Sequence, residues 1–307
     1  MKSDLGAKWI LPNVFEFIGQ KIRWGMIGEG APLVFIHGTP FSSIIWRRIV
    51  PHFAGHRRVY FYDLLGYGRS DMREDQDVSL GIQSEVFAAL LDHWGLQSPD
   101  VVGHDFGGTT ALRAHLLGTR NYRSLTLIDP VALSPWINEG ALSRHALQHP
   151  AAFADLPPFI HRAIVPAYIS DASQSPLLPE TMALYAEPWF GELGQPAFWR
   201  QIAQFDEKYT DEVESIYDQI RCPVMILWGE KDRWISVEDG RRLATMIPGS
   251  ILKVIPDAGH MVQEDAPEAI VAALFQFLLV WWQAGRPSGR PPTVESLRYG
   301  DFQLRWA

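Results

Sequence analysis

Three residues in this chain combine reactive side chains with positions suited to chemistry: Asp105, Asp232 and His260, each just past an apolar run. Asp105 is the centre of Gly103-His104-Asp105-Phe106-Gly107, between a run ending at Val102 and a helical pattern opening after Gly108. Glycines two places either side of a charged apex suit a sharp strand-to-helix turn. The apex backbone is strained there, and side chains at the flanking positions would strike the adjoining strand and helix. This nucleophile elbow is usually written G-x-S-x-G, and here Asp replaces Ser.

That replacement sets the chemistry. A carboxylate is ionised at neutral pH and needs no activating base. It can displace a leaving group at an sp³ carbon, leaving an ester that water must then hydrolyse. His260, in Ala258-Gly259-His260-Met261, is the expected base for that water, and Asp232, in Glu230-Lys231-Asp232-Arg233-Trp234, the expected acid that orients the imidazole. Asp129, before Pro130, is the alternative acid, or else makes only an Asx turn. Backbone N–H groups of Thr39, in His37-Gly38-Thr39-Pro40, and of Phe106 are the candidates for an oxyanion or leaving-group pocket.

The elements that must position these groups alternate. Residues 14–28 alternate apolar and polar around Gly19-Gln20, predicting an antiparallel opening hairpin. Continuous apolar runs at 33–36, 58–62, up to Val102, 124–128, 223–228 and 251–255 predict strands buried on both faces. Helical spacing over 79–94, from Gly108 to about Leu117, from Val237 and from Asp265 fills the gaps, with Ser236 and an Asp265–Glu268 capping box as starts. The pattern predicts a mostly parallel sheet covered on both faces. The stretch 131–220 has no buried-strand run and is rich in Pro and aromatics, so it reads as a helical lid inserted between core segments 1–130 and 221–283. Residues 284–307 read as an irregular tail. Lid aromatics, among them Trp136, Tyr168, Tyr185, Trp189 and Trp199, are the candidates to line an apolar substrate pocket.

With 307 residues, 47% hydrophobic and 20% charged, the chain can bury a large core. A net charge of -8 argues against nucleic acid and anionic membranes as partners. The single Cys222 excludes an internal disulfide and reads as a buried, inert thiol. Neither a signal peptide nor a membrane span is legible, so a cytoplasmic protein is expected. His145 and His149, and likewise His52 and His56, read as solvated or packed pairs, and no metal site is expected. His104 reads as buried beside the elbow, and Asp63 and Asp71 as residues that fix loops.

Over roughly residues 15–280 the chain resembles α/β-hydrolases of the haloalkane dehalogenase and epoxide hydrolase branch. The likeness is carried by His37-Gly38-Thr39-Pro40-Phe41-Ser42-Ser43-Ile44-Ile45-Trp46-Arg47, Asp63-Leu64-Leu65-Gly66-Tyr67-Gly68-Arg69-Ser70-Asp71, Gly103-His104-Asp105-Phe106-Gly107-Gly108, Gly259-His260-Met261-Val262-Gln263-Glu264-Asp265, and Phe198-Trp199-Arg200-Gln201-Ile202 in the lid. The order nucleophile, acid, histidine is that of the fold. The resemblance implies an eight-stranded α/β-hydrolase fold and a hydrolase without cofactor. It implies a covalent ester with a small apolar substrate, dehalogenase-like, with epoxide or ester and lactone hydrolysis as alternatives. Water and that substrate are the expected partners, with a homodimer open. The non-enzyme alternative is a hydrolase-fold binding module. Two departures stand out: dehalogenases hold the halide with a Trp where this chain has Phe106, and many carry Asn where it has Thr39. Lid tryptophans Trp136, Trp189 or Trp199 are the candidate replacements. The second tyrosine of epoxide hydrolases falls at Trp199, although Tyr168, Tyr185, Tyr209 and Tyr217 lie in the lid.

Overall fold

A computed structural model of the chain describes residues 9–136 and 142–284. The tail expected over 284–307 lies outside the described residues, apart from Ala284. Eight strands form one sheet: β1 (Asn13–Phe17), β2 (Gln20–Ile27), β3 (Ala31–Ile36), β4 (Arg57–Tyr62), β5 (Asp100–His104), β6 (Ser124–Ile128), β7 (Val224–Gly229) and β8 (Ile251–Ile255). Their spatial order is β1-β2-β4-β3-β5-β6-β7-β8. The opening hairpin and the β2–β4 pair are antiparallel, and every other neighbour is parallel.

Burial explains the apolar runs. Leu33, Val34, Phe35 and Ile36 of the interior strand β3 are wholly buried, whereas the edge strand β8 is only half-buried along most of its length. The elbow strand runs two residues past its apolar stretch, because Gly103 and His104 keep pairing with Leu127 and Ile128 of β6. Helices α1 (Leu80–His93) and α2 (Phe106–Leu116) pack side by side. The inner stripe of α1 buries Val86, Phe87, Leu90 and Leu91, and Ser79 caps it by accepting from the Ile82 N–H.

Between β6 and β7 the described residues hold only helices: α3 (Leu142–Gln148), α4 (Pro150–Ala154), α5 (Pro158–Ala172), α6 (Pro179–Ala186), α7 (Gly191–Ala203), α8 (Lys208–Glu214) and short 3-10 turns. After β7 come α9 (Val237–Met246), started by Ser236, which accepts from Glu238 N–H, then β8, α10 (Val262–Asp265) and α11 (Pro267–Ala284). The expected capping box at Asp265 does not form. The long helix starts at Pro267, because the Asp265 carboxylate is occupied by Gly259 N–H, Ser173 Oγ–H and the N–H groups of Gln174 and Ser175. Cys222 is half-buried rather than buried, with its thiol pushed up by burial to about 11, which leaves it unreactive at neutral pH. Among the described residues no helix is long and apolar enough to cross a membrane.

Candidate active site

Strands β5, β7 and β8 end at one edge of the sheet, and each hands over one reactive side chain. Asp105 follows β5 with φ 51° and ψ −121°, the strained apex expected between strand and helix. The glycines around it are explained by close approach. A Cβ on Gly103 would lie 2.5 Å from the Gly107 carbonyl oxygen, and one on Gly107 would collide with the Ile36 carbonyl. Gly38 is as constrained, because a Cβ there would overlap the Asp105 carboxylate itself.

Asp105 is 2% exposed. Its Oδ1 accepts the Thr39 N–H at 2.7 Å, and its Oδ2 stands 3.5 Å from His260 Nε2. On the far side of the ring, His260 Nδ1 is 2.8 Å from Asp232 Oδ2. The other Asp232 oxygen accepts the N–H groups of Trp234 and Ile235 at 2.8 and 3.0 Å. Donors on both oxygens fix that carboxylate in one plane, and its contact with Nδ1 leaves Nε2 facing Asp105. Burial alone would lower the His260 pKa, but Asp232, then Asp105, outweigh it and hold it well above the ordinary value.

The surrounding residues fix this line. His104, wholly buried beside the elbow as expected, donates from Nε2 to the His260 carbonyl at 3.0 Å. The loop carrying Thr39 is held twice. His37 accepts the Leu64 N–H at Nε2 and donates from Nδ1 to Gly38 O, and the Gln201 Oε1 on α7 accepts Thr39 Oγ1–H at 2.6 Å and Tyr67 O–H at 3.1 Å. Asp265, expected to start the last helix, instead accepts the Gly259 N–H one residue before the histidine. Asp63 accepts from Ser43 and Arg69 N–H groups, and Asp71 from Lys21 N–H, as expected of loop-fixing carboxylates.

A cavity of about 640 Å³ opens above Asp105, bounded by Thr39, Phe106, Val131, Phe205 and Trp234 among others. Trp136 and Tyr168, both anticipated, line it. Tyr185, Trp189 and Trp199 do not. Tyr185 is buried in a cluster with Arg47 and Glu264, Trp189 donates to Pro40 O at 2.7 Å, and Trp199 donates to His161 Nδ1 at 3.1 Å. The sequence reading missed Trp234, which stacks on Tyr168 at 4.6 Å and lies 4.9 Å from the His260 ring. Its place two residues after Asp232 was the available signal.

Besides Asp105, the polar side chains that line the cavity are those of Thr39, Ser143, Tyr168, Asp171 and Arg233. Trp136 donates its indole N–H to Thr210 Oγ1 and Trp234 to Asp171. The Tyr168 hydroxyl makes no hydrogen bond among the described residues. Burial and then the charge of Asp105 push its pKa up, so it stays an O–H donor at neutral pH. The paired histidines His145 and His149, and His52 and His56, are exposed, and among the described residues no cluster of His, Cys, Asp and Glu could hold a metal. The imidazole between two carboxylates rests protonated, and once that proton is lost it can accept one from water and return it to a departing oxygen.

Sequence and fold now agree on a class. The profile of the Alpha/beta hydrolase family matches residues 33–273, and the chain belongs to that family. A crystal structure of an alpha/beta hydrolase fold protein from Burkholderia ambifaria is 51% identical with a TM-score of 0.85, covering 87% of this chain and 98% of that one. The dihydrolipoyllysine-residue acetyltransferase component of the acetoin cleaving system of Pseudomonas putida is 28% identical over 87% of this chain and 69% of its own length. The haloalkane dehalogenase DatA from Agrobacterium tumefaciens C58 shares the fold, with a TM-score of 0.78 at 23% identity over 88% of this chain and 96% of that one.

Proposed function

We propose that this protein hydrolyses small apolar substrates through a covalent ester on Asp105, with His260 as base, Asp232 as its orienting acid and the helices between β6 and β7 as a lid. The observation that carries the reading is the Asp105 carboxylate itself. It stands at a strained apex, with one oxygen held by the Thr39 N–H and the other facing His260.

In the first step Asp105 Oδ2 forms a bond to a substrate carbon as the bond to the leaving group breaks. In the second, His260 Nε2 takes a proton from water, and the hydroxide attacks Cγ of the ester. The negative charge then develops on Oδ1, where the Thr39 N–H already points, so this donor serves the oxyanion. The N–H of Phe106, first in α2 and without a partner inside its helix, is the second donor. Collapse expels the substrate oxygen, which takes the proton from His260. The carboxylic acid left at Asp105 then gives its own proton to the freed imidazole 3.5 Å away, for release to solvent or to a donor that was spent in the first step, and so the carboxylate is regenerated. Alkylation has a further consequence. It removes the Asp105 charge that, with Asp232, raises the His260 pKa, so the imidazole gives up its resting proton more readily and is available in the neutral form to take one from water when the ester is present.

Among leaving groups, the site fits oxygen better than halide. Every indole N–H at Trp136, Trp189, Trp199 and Trp234 is committed to a protein acceptor, and Phe106 offers a ring edge only. The Tyr168 hydroxyl, which like that of Ser143 lines the cavity with no hydrogen bond among the described residues, can pass a proton to an oxygen released on opening an epoxide. A haloalkane, or an ester or lactone acylating Asp105, is the second reading, and the fold it shares with DatA speaks for the fold alone.

His260→Gln protein incubated separately with haloalkanes, epoxides and small esters, followed by intact mass, tests the reading. A hydroxyalkyl adduct on Asp105 is expected from the epoxide. A bare alkyl adduct would reassign the enzyme as a dehalogenase, and an acyl adduct as an ester or lactone hydrolase. Wild-type turnover with no adduct from any class would sink the covalent mechanism. Ligand binding with no turnover of any class would favour the binding module.

A further inference from the structure

We infer that Asp129 is a positioning residue that carries a proton and donates it to Asp232, so that the imidazole is backed by a two-carboxyl unit with a single negative charge. The inference rests on the reading of Asp232 as the orienting acid.

Asp129 ends β6 and is clamped to β7. Its N–H donates to Leu227 O at 3.0 Å, and its Oδ1 accepts the Gly229 N–H at 2.8 Å. Its backbone sits at φ 41°, a region side-chain-bearing residues seldom adopt, although an Asx turn needs no such conformation. The residue is 0% exposed, and its Oδ2 meets no N–H or O–H donor among the described residues. The neighbouring donors go instead to Asp232: two backbone N–H groups on one oxygen and His260 Nδ1 on the other.

The two buried carboxyls are tied to the same residue, for Gly229 N–H donates to Asp129 Oδ1 and Gly229 O accepts the Asp232 N–H at 3.2 Å, which leaves the unpartnered Asp129 Oδ2 in the field of Asp232. Two anions in one dry site are far costlier than one, and a hydrogen bond between carboxyls needs a proton on one of them. The donors decide which. Asp232 has three to stabilise its charge and Asp129 has one. Burial, then the charge of Asp232, push Asp129 well above the usual carboxylate range, and His260 on the neighbouring loop pulls the other way without prevailing. The charged and titratable groups facing Asp129 are Asp232 beyond β7 and His260 beyond β8, with Asp105 beyond β5 acting across the imidazole. A proton given to Asp232 weakens its pull on His260, which helps the imidazole shed its proton during turnover.

The test titrates the His260 imidazole in the whole protein by ¹H–¹⁵N NMR, assigned by the loss of its signals in His260→Gln. Asp129→Asn exchanges one neutral group for another and keeps a donor toward Asp232. The His260 midpoint is therefore expected to stay put. A fall of about one unit or more would mean that an anion had been removed, and would overturn the inference. Asp129→Leu removes the donor and is expected to raise the midpoint, and an unchanged midpoint would deny the hydrogen bond. If the leucine variant fails to fold, infrared spectra of ¹³C-aspartate protein decide alone. A protonated carboxyl band is expected at neutral pH in wild type and not in Asp129→Asn, and its lack in wild type sinks the inference. Asp232→Asn separates the two readings: if the His260 midpoint does not fall, Asp232 is not the orienting acid, whatever the state of Asp129.

Discussion

The sheet edge below the cavity and the helices above it bound the same space by different means. Below, backbone geometry places each polar group: Asp105 by an apex that Gly103 and Gly107 make passable, Thr39 by a loop locked between His37 and Gln201, His260 by His104 and Asp265. Above, side chains do the work, and most of their polar atoms are turned away from the cavity. Trp189 and Trp199 hold the insertion to the core or to itself, and Tyr185 joins Arg47 and Glu264. Only Trp136 and Tyr168 of the five expected aromatics reach the cavity. On the proposed reading the lower layer carries the reaction and the upper one selects what enters, with Tyr168 the group that belongs to both.

Substitutions can sharpen or break that division. Asp105→Ala should cost the most, at least about 10⁴-fold in kcat, with no adduct by intact mass. Residual turnover near wild type would move the nucleophile elsewhere. Asp232→Asn follows, with a loss of about 10²- to 10⁴-fold expected in steady-state kcat, because an amide holds the imidazole in the wrong tautomer. An intact kcat would shift the role to Asp129. Tyr168→Phe should slow epoxide opening by about 10²-fold while leaving haloalkane and ester rates unchanged. Equal losses on all three substrates would make Tyr168 a packing residue. The smallest effect is expected of Trp199→Phe, which removes one hydrogen bond to His161. Urea unfolding should show a loss of about 1 kcal/mol with kinetic constants unchanged, and a changed KM would place Trp199 at the substrate after all.

The division also separates what was readable in the chain. The strand runs were legible because a strand buried on both faces needs continuous apolar residues, and the elbow because its turn tolerates only small neighbours at 103 and 107. Asp105, Asp232 and His260 were legible because each follows such a run. The helical character of 131–220 could be seen, but the facing of its side chains could not. Periodicity gives a helix one buried stripe, and Trp189, Trp199, Tyr168 and Trp136 all sit among buried or half-buried residues. Whether an indole faces a cavity or a carbonyl depends on the partner across the interface, which local sequence does not encode.

Asp265 and Asp129 make the same point with charged groups. Each carries a local signal, a capping box in one case and an Asx turn in the other, and in each the carboxylate goes instead to residues distant in the chain. What the sequence by itself determined was the order of strands and helices and the placement of Asp105, Asp232 and His260 just past strand ends, because these follow from burial and turn sterics within a few residues. What only the tertiary structure decided was which donor meets which acceptor across those ends. Hydrogen bonds in a dry interior are settled by distances of about 3 Å between segments far apart in the chain.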